Sequence, residues 1–313
     1  VEHTDTKTVE IPIRVPRFTS VSLTLSGEIG VNFFMDLSML TEEQKEGTYV
    51  TFTVSGDRGG FTVDAPYDAT VMNESRTYYG FTCFVTSIQM ADTITATYHY
   101  GNDKTISVAT TIEQYIKRRA ASGSASEAEK TLVKALADYG HYVQPYLAKE
   151  NHWTIGSDYA EMETYYAESY DYDAVKTALT EFKASLDNQA TAVIPSNTIT
   201  SNLALDSTTA LQVFFKPVDD YTGNLSFTLN GRAIEATQQS DGRYMVKIDN
   251  IKAHQLGTMN KIVITTDSGI LTLNISALSY ALTKMSSTDN DAKNAMAAMY
   301  YFYKATCDFR AES

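Results

Sequence analysis

The chain has 313 residues, with 25 Lys plus Arg against 38 Asp plus Glu, a formal net charge of −13, and 43% apolar residues. That length fits two domains at roughly 100–200 residues each, and the apolar share excludes global disorder. The acidic balance argues against nucleic acid and against an anionic membrane surface as partners, because both are held by a surplus of Lys and Arg.

Residues 1–18 read as a polar leader or linker. Short strand signals follow. Val31-Asn-Phe-Phe-Met35, Tyr49–Gly56, Gly80–Ile88, Ile94–Tyr100 and Lys104–Ala109 are rich in β-branched and aromatic residues. Gly101-Asn-Asp103 between the last two marks a hairpin turn. Gly56-Asp-Arg-Gly-Gly60 reads as a plain turn, since the Gly-Lys-Ser/Thr ending of a phosphate loop is missing. Two helices come next. Ile112, Tyr115 and Ile116 mark a short one, and Ala120–Ser126 is a flexible turn. Leu132, Leu136, Tyr139, Val143 and Tyr146 then line one face of a longer one.

Residues 150–198 are different in kind. Over residues 151–195, eight carboxylates (Asp158, Glu161, Glu163, Glu168, Asp171, Asp173, Glu181, Asp187) stand against Lys176 and Lys183, with Tyr159, Tyr165, Tyr166, Tyr170 and Tyr172 among them. The spacing of Val175, Leu179, Phe182 and Leu186 predicts a helix, with Asp173 as its cap and Pro195 beyond its end. Two readings of this segment stand side by side. It is a solvated connector whose tyrosines pack on both neighbours, or a recognition surface in which Tyr gives contact area and the acids steer a basic partner. The second reading makes Tyr159, Glu161, Glu163, Tyr165, Tyr166, Glu168, Tyr170, Asp171 and Tyr172 the candidate binding residues.

From residue 199 the first plan returns. Ala295, Met299, Phe302, Thr306 and Phe309 repeat the long-helix stripe 163 positions on, and Ala277, Tyr280 and Ala281 repeat the short helix. Arg243–Ile251, Ile262–Thr266 and Ile270–Ile275 match the strands ahead of the helices. Gln212-Val-Phe-Phe-Lys216 and Asn224–Gly231 match the earlier ones. Ser286–Asn290 is the second turn between helices. The expected fold class is therefore α+β. Two related β-sandwich-like (Ig-like) units, 19–149 and 199–313, each end in a helix pair and are joined by an acidic, Tyr-rich helical connector at 150–198.

Leu23–Asp36, Phe84–Ala96 and Leu136-Ala-Asp-Tyr-Gly140, with Leu225–Gly231, Ile251–Leu256 and Ala277-Leu-Ser-Tyr280, also carry a resemblance. As a set, over about residues 19–310, they resemble a repeated module of large secreted and cell-surface proteins of gut Clostridia and related Firmicutes. Such modules sit beside leucine-rich repeats, dockerins or wall anchors. The resemblance implies an extracellular place, attached to or secreted from a Gram-positive cell, and a binding or adhesive role. It supplies no catalytic residues.

Motifs for chemistry are missing from the sequence. It has no His-Glu-x-x-His, no P-loop, no Gly-x-Ser-x-Gly elbow and no Asp-rich calcium loop. Cys83 and Cys307 are the only thiols, and the copies place Val246 and Gln144 at the matching positions, which favours structural cysteines. His99, His141 and His152 (beside Trp153, the only Trp) each suit a structural role better than a catalytic one. No enzyme activity, metal or cofactor is expected. The expected function is non-catalytic binding of a host extracellular protein, with mucosal immunoglobulin or mucin as candidates. A structural spacer is one alternative. A carbohydrate-binding module is another, since 21 Tyr could stack on sugar faces. Open strand edges are a second candidate surface, since they can accept an added strand. No run of about 18 apolar residues exists to cross a bilayer.

Overall fold

The computed structural model describes residues 15–24, 29–56, 60–71, 78–150, 162, 164–166, 170–188, 193–205 and 208–312. The first 14 residues of the expected leader, the centre of the Gly56–Gly60 turn, His152 and Trp153 lie outside them. The class is α+β, with 16 strands in four sheets and six α-helices among the described residues.

Copy 1 holds β1 (Arg17–Thr24), β2 (Ile29–Asp36), α1 (Glu42–Lys45), β3 (Tyr49–Ser55), β4 (Phe61–Pro66), β5 (Tyr79–Val85), β6 (Thr93–Tyr100), β7 (Lys104–Thr110), α2 (Ile112–Ala120) and α3 (Glu127–Glu150). The connector holds α4 (Tyr172–Leu179) and β8 (Ser185–Asn188). Copy 2 holds β9 (Ile199–Ala204), β10 (Ala210–Phe215), β11 (Leu225–Leu229), β12 (Arg232–Ile234), β13 (Thr237–Gln238), β14 (Tyr244–Ile248), β15 (Asn260–Thr266), β16 (Gly269–Ile275), α5 (Ala277–Lys284) and α6 (Asn290–Glu312).

The sheets repeat strand for strand. Copy 1 has β1-β2-β5 and β4-β3-β6-β7, and copy 2 has β9-β10-β14 and β12-β11-β15-β16 in the matching order. Among the described residues copy 2 has two further strands, β13 at one edge and β8 at another. Every pairing is antiparallel, so alternate side chains turn to one face. Those faces meet through aromatic rings. Phe33 on β2 lies 5.4 Å from Phe52 on β3, and Phe215 on β10 lies 6.5 Å from Phe227 on β11.

These contacts correct the alignment of the two copies by one residue. The sequence strings pair Phe33 with Phe214. In the structure Phe33 stands opposite Phe81 and Phe215 opposite Tyr244, so Phe33 corresponds to Phe215. Both are fully buried, whereas Phe214 faces outward beneath the Arg243 guanidinium at 4.4 Å. A one-residue slip in a strand turns every side chain over, so burial decides the match where sequence similarity cannot.

The connector helix is shorter than its spacing predicts. α4 ends at Leu179, a 3₁₀ turn covers Thr180–Phe182, and Leu186 lies in β8, opposite Leu273 of β16. Ser185, Asp187 and Asn188 each disfavour helix by about half a kcal/mol relative to Ala. Hydrogen bonds to a neighbouring strand are each worth about 0.5–1.5 kcal/mol, so pairing wins. The cap is Asp171, not Asp173: its carboxylate accepts from Ala174 N at 3.0 Å. One hairpin escapes the strand signals of the sequence. Asn230 (φ 51°) and Gly231 (φ 80°) form the two-residue turn between β11 and β12, the Asn-Gly pair that left-handed turn positions favour.

The helix pairs begin alike. Thr111 caps α2 and Ser276 caps α5, each with a reciprocal bond from the third helical residue. Ser126 Oγ accepts from Glu129 N at 3.1 Å ahead of α3, and Asp289 Oδ1 accepts from Asp291 N at 3.0 Å ahead of α6. The two long helices then lie antiparallel against each other. Lys149 at the end of α3 pairs with Asp289 at 2.7 Å, and Tyr139 stacks on Phe302 at 5.2 Å and 17°. Tyr139 and Phe302 are equivalent positions of the repeat, so an approximate two-fold axis passes near their contact.

Phe302→Ala is expected to lower the unfolding free energy by about 3–5 kcal/mol, as truncation of a buried aromatic does. Chemical denaturation would measure it. Tyr139→Ala should show a coupling of about 0.5–3 kcal/mol with it in a double-mutant cycle, and strict additivity would count against the stack as the joint.

Candidate functional site

The site begins with one buried carboxylate. Asp138 lies on α3, 1% exposed. Its Oδ1 accepts from Tyr165 N at 2.7 Å, and its Oδ2 accepts from Tyr166 N at 3.1 Å and from the Tyr170 hydroxyl at 3.2 Å. Tyr165 and Tyr166 lie outside any helix or strand, so their amides need partners, and the carboxylate supplies them. Burial raises the Asp138 pKa above the usual carboxylate range, and the three hydrogen bonds and His141 oppose that rise only in part.

Gly140, one residue beyond Tyr139, lets the segment come close. A Cβ there would lie 2.7 Å from Met162 Sδ and 2.8 Å from Met90 Sδ, and both Met side chains are buried. His141 Nδ1 donates to the Met162 carbonyl at 2.9 Å, which ties the same stretch to α3.

Of the nine candidate binding residues, Tyr159, Glu161, Glu163 and Glu168 lie outside the described residues. Of the other five, the four tyrosines hold the segment to the long helices of the two copies. Tyr165 is half-buried, with Lys134 Nζ 6.0 Å above its ring. Tyr166 is 43% exposed, and its hydroxyl donates to Thr131 O at 3.3 Å. Tyr170 is buried, stacked on Tyr301 of α6 at 5.4 Å and set edge-on to Tyr142 of α3 at 5.3 Å. Burial together with the nearby Asp138 charge pushes its phenol pKa far up, so it stays protonated as a donor. Asp171 is spent on the α4 cap. The Tyr172 hydroxyl donates to Asn294 Oδ1 at 2.6 Å, and Lys293 of α6 lies 4.8 Å over its ring.

Where this segment bridges the long helices it leaves a cleft of about 370 Å³. Thr131 and Ala135 form the α3 wall, Tyr301, Lys304 and Asp308 the α6 wall, and Tyr166, Tyr170 and Asp171 the end. A recess of about 450 Å³ continues it past Glu127 and Glu312, sharing Thr131 and Asp308. Aromatic faces, small residues and four lining carboxylates against one lining lysine, with only Glu127 paired to a neighbouring lysine among the described residues (Lys130, 2.7 Å), suit an amphipathic ligand with positive charge. Asp138, Tyr301, Lys304 and Asp308 are absent from the sequence candidates. The one signal for Asp138 is a lone carboxylate between Ala137 and Tyr139 on a helix otherwise dressed for burial. The α6 residues carry no signal, because nothing local ties them to the connector.

The remaining groups sit elsewhere. Cys83 is buried in β5, and burial pushes its thiol up to about 12, so it stays protonated. Cys307 is half-buried on α6 with its Sγ 3.9 Å from the His254 carbonyl. The His99 ring stacks on Tyr49 at 4.4 Å, with Nε2 3.0 Å from Thr51 Oγ1. Among the described residues no three His, Cys, Asp or Glu side chains converge on a metal position.

The raised Asp138 pKa has a sign that can be tested. The folded chain holds this proton more tightly than the unfolded chain, whose Asp titrates near about 3.9. The stability it contributes is therefore full below about pH 4 and lost as pH rises through the folded value. Urea unfolding of wild type and Asp138→Asn from about pH 4 to about pH 8 should show their difference moving in favour of wild type as pH falls; a difference that ignores pH would refute the assignment. Gly140→Ala is expected to lower the thermal midpoint, since overpacking by about 1–3 kcal/mol exceeds the helix propensity gain of about 1 kcal/mol. No protein-family model matches this sequence, and no curated protein matches it either.

Proposed function

We propose that the chain is a non-catalytic, extracellular binding module of a Gram-positive surface protein, built from two Ig-like units, and that it recognises a host protein. The cleft between α3 and α6 is the observation that carries the reading. It combines an exposed tyrosine, a buried tyrosine stacked on a half-buried one, and more carboxylates than lysines at the joint of the two copies. Interfaces favour Tyr because it offers area at small entropy cost, and acids at the rim speed the approach of basic partners. The resemblance to repeated modules of gut bacterial surface proteins supports the extracellular place. Mucosal immunoglobulin and mucin are the candidate ligands. Among the described residues no helix is long and apolar enough to cross a membrane.

A spacer role has one observation in its favour. Tyr139 on Phe302 and Tyr170 on Tyr301 lock the copies together, as a rigid rod segment would need. Carbohydrate is the third reading, through the exposed face of Tyr166.

The test is retention of a defined protein from mucosal secretions on the immobilised chain, followed by titration of that protein. Asp308→Lys with Glu312→Lys should weaken it by about tenfold or more, since each reversal places like charge against a basic ligand. Tyr166→Ala should weaken it as well. Full-strength binding by both variants would move the site elsewhere. A glycan array signal lost with Tyr166 would favour the carbohydrate reading, and no ligand of either kind would leave the spacer.

A further inference from the structure

One sheet face of copy 1 carries two aromatic rings laid over glycines. On the outer side of the β1-β2-β5 sheet, Phe34 of β2 stands opposite Gly80 of β5, and Phe84 of β5 stands opposite Gly30 of β2. A Cβ on Gly80 would lie 3.0 Å from Phe34 Cε1, and one on Gly30 would lie 3.1 Å from Phe84 Cε1. Each ring thus leans across the neighbouring strand into space that only a glycine leaves open. A ring held that low turns a face outward, whereas a ring standing off the sheet turns an edge. Phe84 is 48% exposed and Phe34 is half-buried. The row between them is polar. Thr82 Oγ1 donates to Asn32 Oδ1 at 2.6 Å, and Asn32 Nδ2 donates to Ser22 Oγ at 3.2 Å. No side chain in these rows is charged.

Copy 2 builds the same sheet without this arrangement. Matching Phe33 with Phe215 and Phe81 with Tyr244 puts Lys216 at the place of Phe34, Arg243 at that of Gly80, Gln212 at that of Gly30 and Lys247 at that of Phe84. The middle row there is apolar, with Phe214 opposite Met245, and the Arg243 guanidinium covers the Phe214 ring at 4.4 Å. Lys247 pairs with Asp249 at 2.8 Å. A ring over a cross-strand glycine does steady a sheet. The β9-β10-β14 sheet forms with cations at those places, so the shared fold does not call for the rings.

We propose that the outer face of the β1-β2-β5 sheet binds a neutral oligosaccharide, with sugar rings on Phe34 and Phe84 and hydroxyls on the Ser22, Asn32 and Thr82 row. A sugar ring has an apolar face of C–H groups and a rim of hydroxyls. The C–H face suits the negative face of an aromatic ring, and the rim needs donors and acceptors. The amide of Asn32 has a second N–H, and the hydroxyls of Ser22 and Thr82 each both donate and accept. Phe34 and Phe84 belong to rows four residues apart, about 13 Å of strand, so a chain of sugars rather than one sugar spans them. The polar row divides the apolar surface, whereas a protein interface is apolar at its centre. Without charge on the face, an anionic sugar gains nothing there. This site is separate from the cleft between α3 and α6 and does not rest on the protein-binding reading.

The probe is an array of neutral cello-, xylo-, manno- and galacto-oligosaccharides exposed to the full chain, followed by calorimetric titration of the strongest binder. Saturable binding is expected. Phe84→Ala should weaken it by about tenfold or more, the loss of one stacked ring. Phe84→Tyr keeps the ring and should keep the binding. Phe34→Lys with Phe84→Lys installs the side chains that copy 2 carries at these places, and should abolish binding while the chain still unfolds cooperatively in urea. If Phe84→Ala does not fold, the Tyr variant against the lysine pair decides. No binding of any of these oligosaccharides overturns the proposal, and so does binding that survives the lysine pair. Binding lost with Tyr166→Ala but kept with Phe84→Ala places the sugar in the cleft and also overturns it. With a blank array, a retained secretion protein or a self-association that depends on Phe84 assigns the face to a protein or to a second copy, against the proposal. The protein-binding reading of the cleft is judged separately, by Asp308→Lys with Glu312→Lys.

Discussion

The antiparallel packing of α3 on α6 is the interaction on which the rest of the structure depends. Each long helix has two duties. One side packs on its own copy, α3 against α2 and the Ser87–Gln89 turn and α6 against α5 and the Ala253–Gln255 turn, and the other meets the helix of the other copy, with Tyr139 stacked on Phe302 at the centre. This explains why burial on α3 runs well beyond a single stripe, taking in Ala135, Ala137, Asp138 and Gln144 as well as Leu132, Leu136 and Val143. A helix packed on one neighbour needs one apolar face, whereas a helix between two layers needs two. Small residues do much of the work on the second face. Ala295, Ala298 and Ala305 of α6 are buried, which lets the backbones approach.

A second layer of order hangs on that joint. Asp138 would be costly to bury alone, because a carboxylate out of water loses its hydration. Three donors from one short stretch of connector offset the loss and at the same time fix that stretch in place. Tyr170 then joins the two helices, since its hydroxyl reaches Asp138 while its face lies on Tyr301. The tyrosines thus divide their labour. Tyr165, Tyr170 and Tyr172 are committed to internal contacts, and Tyr166 keeps a free face at the mouth of the cleft. Connector and recognition surface are compatible roles for one segment, because docking leaves its outer side available.

Much of the repeat is legible in the residue order alone. The 163-residue offset of the long helices follows from their apolar spacing, and the caps at Ser126 and Asp289 keep the same offset. Periodicity is a local property, so a single chain displays it openly. Three features mislead, each where a distant partner or a backbone boundary decides the outcome. Leu186 has helical spacing from Phe182 but finds the edge of β16. Phe214 looks like the match of Phe33, yet the core side of β10 belongs to Phe215. Asp171 and Asp173 are equally good caps on composition, and the start of α4 at Tyr172 chooses the first.

Residue order alone is enough for the α+β class, the doubling of one plan of strands and helix pair, and the gathering of acids and tyrosines between the copies. These depend on residue order within windows of a few to some twenty positions, where side-chain period and turn chemistry act directly. Which tyrosines turn inward, that Asp138 is their anchor, and that Tyr301, Lys304 and Asp308 complete the cleft all depend on the folded packing. The same holds for the edge of β16, which β8 fills. Each of these joins residues more than twenty positions apart, and such contacts form only when the folded layers bring their surfaces together.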